Sequence, residues 1–117
     1  MTSSNQTSAM KESFGHFLRK KRKELGLNQT QLAVKIDMDA AKLSKIENGK
    51  LIIDEPRLVL LSKAIKTDLE ILKTLYYGDC VARTLYHNKC SSDTLNVAEE
   101  ILEYYKSNSA KQGNLIF

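Results

Sequence analysis

Apolar residues return every three or four positions along most of the chain, and no stretch shows the two-residue alternation of a half-buried strand. From Ser13 to Leu25, Phe14, Phe17, Leu18 and Leu25 share one helical face, and Gly26 is the expected terminator. Asn28 is placed to cap a short second helix carrying Leu32, Ala33 and Ile36. Asp39 caps a third, with Leu43 and Ile46 inward and Gly49 after it. Pro56 suits the first turn of a fourth, whose inward residues are Leu58, Leu61, Ala64 and Ile65. Asp68 caps a fifth bearing Leu69, Leu72, Leu75 and Tyr76. Beyond Gly78 the pattern changes. Val81, Leu85 and Tyr86 predict a short sixth helix, and Ser91, Ser92 and Asp93 offer caps for a seventh over about 93–106. Its Leu95, Ala98, Leu102 and Tyr105 form an apolar seam at 3-4-3 spacing. The expected fold is all-α, five helices followed by two more. Residues 1–12 read as a flexible polar leader, 13–78 as the main domain, 79–106 as a helical extension and 107–117 as a tail.

Composition narrows the class. With 117 residues, 42% of them hydrophobic, the chain is large enough for a core without staples. No apolar run approaches the length of a membrane span, and no secretory pattern opens the sequence, so the expected location is cytoplasmic. Cys80 and Cys90 are not spaced as a CxxC pair, and only His16 and His87 could assist them. They read as reduced thiols, and no metal or other cofactor is expected. No nucleophile–base set, paired acidic site or phosphate loop is apparent, so the chain does not read as an enzyme.

Charge distribution points to a partner. Residues 11–50 hold ten Lys and Arg against five Asp and Glu, whereas residues 51–117 hold eight against nine. The net charge of +4 therefore originates in the first third, where a phosphate-bearing partner would dock.

The second and third helices, joined at Asp37 and Met38, have the proportions of a helix-turn-helix. The stretch from Leu27 to Lys50, LNQTQLAVKIDMDAAKLSKIENGK, resembles the phage-repressor and Cro-type family, also called XRE. Leu27, Gln29, Leu32 and Ala33 match its opening, Leu43-Ser44-Lys45-Ile46-Glu47-Asn48-Gly49 match its close, and Leu18 to Arg22 fit its first helix. The resemblance spans roughly residues 13–75. It departs at Asp37 and Lys66, where the family often carries Gly.

The resemblance implies a repressor-type regulator that binds double-stranded DNA as a homodimer on a palindrome, with the helix at about 39–48 in the major groove. At 100° per residue, Leu43, Ile46, Glu47 and Ala40 fall inward, and Ala41, Ser44, Lys45 and Asn48 outward, with Lys42 at the margin. The expected DNA-contacting set is Arg19, Asn28, Gln29, Ala40, Ala41, Lys42, Ser44, Lys45, Asn48 and Lys50. Small residues allow close approach to base edges and lysine can reach guanine. Gln29, Asn48, Arg19 and Lys50 are expected on phosphates. Glu47 falls inward, where a lone carboxylate would be costly, and the resemblance implies that Arg22 pairs with it structurally.

Dimerisation is expected through Leu75 and Tyr76 on the fifth helix, or through the Leu95, Ala98, Leu102, Tyr105 seam. The last helices could instead cap the monomer core. An antitoxin-like module, autoregulating through its helix-turn-helix while its C-terminal helices hold a protein partner, is the rival reading.

Overall fold

The computed structural model describes residues 12–112, and these form six α-helices and no strand. The expected leader, up to residue 11, and the end of the expected tail, 113–117, lie outside the described residues. In chain order the helices are α1 (Phe14–Glu24), α2 (Gln29–Lys35), α3 (Ala40–Glu47), α4 (Glu55–Ala64), α5 (Leu69–His87) and α6 (Asp93–Gln112). The chain divides into two units, one ending at Cys80 and the other beginning at Val81, so α5 runs from the first into the second.

Each short helix starts where a side-chain oxygen satisfies an orphan backbone N–H. Ser13, Asn28, Asp39 and Asp54 accept from the N–H three residues on, and Asp68 accepts from Glu70 and Ile71. At Asn28 the bond is reciprocal, because the Gln31 side chain returns to the Asn28 N–H. The ends are equally uniform. Gly26, Asp37, Gly49, Lys66 and Lys89 all take positive φ, between 54° and 74°. In every case the next N–H reaches back to the carbonyl five residues earlier, as from Met38 to Ala33 and from Lys50 to Lys45. These are Schellman stops, and only two of the five use glycine.

The core of the first unit is the set anticipated from helical spacing, with Leu18, Leu32, Ile36, Leu43, Leu58, Leu61, Ile65 and Leu72 fully buried. Ile53, in the loop before α4, joins them although no periodicity marks it. Its N–H donates to the Tyr76 hydroxyl at 3.0 Å. Tyr76 also meets Phe14 edge-on, with ring centroids 5.0 Å apart. Burial raises the pKa of its phenol, so the hydroxyl stays protonated.

Tyr76 is only 6% exposed and is tied into the monomer core, in keeping with its inward place on the fifth helix. Two expectations are corrected here. The expected sixth helix does not exist as a separate element. The fifth continues through Gly78 to His87, because a single internal glycine weakens a helix without supplying a left-handed stop, and the stop comes at Lys89. The last helix runs to Gln112 and does not end near 106, so the first part of the expected tail is helical.

Gly15 is required for a different reason. A Cβ there would run into the Glu47 carbonyl, so α1 can approach the end of α3 only with glycine at this point. Gly15→Ala should therefore destabilise the fold by about 1–3 kcal/mol in urea denaturation, the usual cost of overpacking. Gly78, with no atom near its would-be Cβ, should behave oppositely, and Gly78→Ala should stabilise by up to about 1 kcal/mol. Asp37→Gly should raise the thermal midpoint, since left-handed backbone costs a non-glycine residue about 1–2 kcal/mol and glycine's extra chain entropy offsets only part of that gain. A lower midpoint would mean that the Asp37 side chain stabilises the turn.

Candidate nucleic-acid interface

The helix α3 is amphipathic in a way that divides support from display. Leu43 and Ile46 enter the core beside Leu32, Ala33 and Ile36 of the preceding helix. Ala41, Lys42 and Lys45 are exposed, and Ala40 and Ser44 are half-buried at the edge. Asp39 fixes the start of the helix through the Lys42 N–H at 2.8 Å. The turn before it is held from outside. Arg57 of α4 donates to the Asp37 carbonyl at 3.2 Å while pairing with Asp54 at 2.8 Å. Arg57 was not singled out in the sequence, where a lone arginine on a charged helix carries no signal of such a clamp.

Glu47 organises the other end. Its carboxylate has no exposed side-chain surface, and Arg22 meets it with Nε 2.8 Å from Oε2 and a terminal nitrogen 3.2 Å from Oε1. Gln29 donates its amide to Oε1 at 3.1 Å, and Arg19 Nε lies 3.5 Å from the same oxygen. The carboxylate thus accepts three hydrogen bonds, one on Oε2 and two on Oε1, with the Arg19 guanidinium as a further charge beside Oε1. Arg22 also donates to the Leu27 carbonyl at 3.0 Å, which ties the loop between α1 and α2 into the same cluster.

Asn48 is oriented from two sides. It accepts from Arg19 at 3.1 Å and donates to the Ser44 carbonyl at 2.9 Å. The structure thus brings Arg19, Gln29, Ser44 and Asn48 together around Glu47. Asn28, whose oxygen caps α2, and Lys50, exposed just past the Schellman stop, take no recorded part in this cluster. Arg19 and Gln29 were expected on phosphates, and both carry a second task, since their donors also hold Glu47 and Asn48. Gly15, whose missing Cβ admits the α3 terminus, went unnoticed in the sequence because its constraint is a contact between helices.

Among the other expected site residues, Leu75 is half-buried on α5. Leu95 and Leu102 on α6 are 48% and 49% exposed, Ala98 is exposed and Tyr105 is half-buried. Neither Cys80 nor Cys90 is in a disulfide. Among the described residues, no helix is long and apolar enough to cross a membrane.

Comparison with known proteins agrees with this geometry. The helix-turn-helix family model matches residues 18–72. The chain is 40% identical over 83 residues to the HTH-type transcriptional repressor RghR of Bacillus subtilis (strain 168), covering 68% of this chain and 62% of that protein. It is 37% identical over 59 residues to the ImmF control region 10 kDa protein of Bacillus phage phi105, covering 50% of this chain and 66% of that one. The chain thus matches less than two thirds of the length of either relative. No solved structure matches it significantly. Residues 18–72, which contain the capped pair α2 and α3 and the buried Glu47 cluster, match the helix-turn-helix family of XRE type.

Proposed function

We propose that the protein is a transcriptional regulator, a repressor by the analogy of its relatives, that binds double-stranded DNA as a homodimer. The observation that carries this reading is the division of α3. Its inner residues and Glu47 are fixed in the core, while Ala41, Lys42 and Lys45 are left exposed on the opposite side. In the major groove the Ala41 side chain is short enough for close approach and can touch a thymine methyl, and Lys45 can donate to guanine O6 or N7. Ala40, Lys42 and Ser44 line the margin of that face. Phosphate contacts frame it. An amide carries two N–H donors, so Gln29 can hold Glu47 with one and meet a phosphate with the other. The N-terminus of α2, with Asn28, adds backbone N–H groups that favour an anion. Arg19 and Lys50 extend the positive rim, and Asn48 adds an amide beside them. No step of this role requires a cofactor or catalysis, and a protein that binds chromosomal or phage DNA works in the cytoplasm.

Selection of duplexes from a random pool by the full chain is the test. The enriched sequences should contain an inverted repeat whose half-sites lie about one helical turn, roughly 34 Å, or a multiple of it apart. On the selected duplex, Lys45→Ala should cost about 1–3 kcal/mol and relax preference at one or two base pairs. Lys50→Ala should weaken binding to all DNA and flatten the salt slope by about one unit. A pool with no enriched motif would overturn the reading, and equal losses on cognate and random DNA for Lys45→Ala would reduce that residue to a phosphate contact.

A further inference from the structure

The helix α6 is amphipathic, and most of its apolar side is exposed. At 100° per residue, the arc from Tyr104 through Val97, Ile101, Tyr105, Ala98 and Leu102 to Leu95 covers about half its circumference. Val97 is 51% exposed, Ile101 43% and Tyr104 62%. That is a wide face for a soluble helix to leave in water, and burial of each such side chain is worth on the order of 1.5–3 kcal/mol.

Charge says what covers it. Asp93, Glu99 and Glu100 lie in the first half of α6, and in the second half Lys106 and Lys111 outnumber Glu103. Two copies laid parallel would set acidic half against acidic half. Two copies laid antiparallel set each acidic half against a basic one, and the apolar arcs still meet. The flank of the seam makes this specific. Glu99 and Lys106 project about 40° and 20° beyond Leu95, on the same edge. A two-fold axis near the middle of the helix would bring Glu99 of one copy beside Lys106 of the other, twice over. Within one helix the two are seven residues apart, and the Lys106 ammonium makes a long, exposed contact with Glu103 at 3.8 Å.

We propose that α6 is the dimer surface and that it pairs antiparallel with α6 of a second copy. This rests on the homodimer reading above and adds the element, the orientation and the charge pair.

Sedimentation equilibrium of the full chain tests it. Native protein should be dimeric at micromolar concentration. Leu102→Asp, at a half-exposed position that folding tolerates, should raise the dissociation constant by about 30-fold or more. Glu99→Lys and Lys106→Glu should each weaken the dimer about fivefold at low salt, and the double exchange should return it to within about twofold of native. A monomer at tens of micromolar would overturn the proposal and favour a different protein as the occupant of α6. Dimerisation indifferent to Leu102→Asp would move the interface elsewhere, and a double exchange weaker than either single one would exclude the antiparallel pairing. Binding of each variant to a DNA half-site keeps the two claims apart. Half-site binding that survives monomerisation leaves the regulator reading intact, and its loss in native dimer would count against that reading alone.

Discussion

Glu47 places a negative charge where no water reaches it, and the geometry of the first unit follows from satisfying that charge. Arg22 comes from α1, Gln29 from the first turn of α2, and Glu47 from the last turn of α3, so one carboxylate fastens three helices. A buried ion pair is not by itself a source of stability, because the desolvation of both partners opposes their attraction. Its value here lies in orientation. Three hydrogen-bond donors in fixed directions define where the end of α3 sits, and Gly15 lets α1 come close enough to close the arrangement. Arg57 fixes the other end through the turn at Asp37. A helix held at both ends and packed along one side can present the opposite side without further adjustment, which is the condition for reading base edges.

The sequence makes most of this legible because the first unit is built from local rules. Caps at Ser13, Asn28, Asp39, Asp54 and Asp68 are single residues in front of apolar periodicity, and the buried leucines are those that the period selects. The less legible parts are those that depend on distant neighbours. Ile53 sits in a loop, and its burial is decided by Tyr76, 23 residues away in the chain. Three of the five helix stops use Asp37, Lys66 and Lys89 in left-handed backbone, a conformation for which glycine would have been the readable sign. Gly78 misleads in the opposite direction, since it lies inside α5 and ends nothing.

The candidate interface was legible in outline for the same reason. Outward and inward residues of α3 follow from its period, whereas the bonds of Arg19 and Gln29 to the Glu47 cluster do not. Both side chains looked like simple phosphate donors in the sequence, and both also belong to the support of the helix they flank. Substituting either one alters the seat of α3 as well as any contact to DNA.

The claim that Glu47 and Arg22 act as one unit in seating α3 is tested most directly by a double-mutant cycle in chemical denaturation. Glu47→Ala alone should cost about 3–5 kcal/mol, because it strands a buried guanidinium. Arg22→Ala, stranding the carboxylate, should also be costly. The double variant should cost far less than the two together, with a coupling energy of about 2–3 kcal/mol. Additivity within about 0.5 kcal/mol would contradict the account, since it would mean that the two charges contribute independently and that packing alone positions the helix.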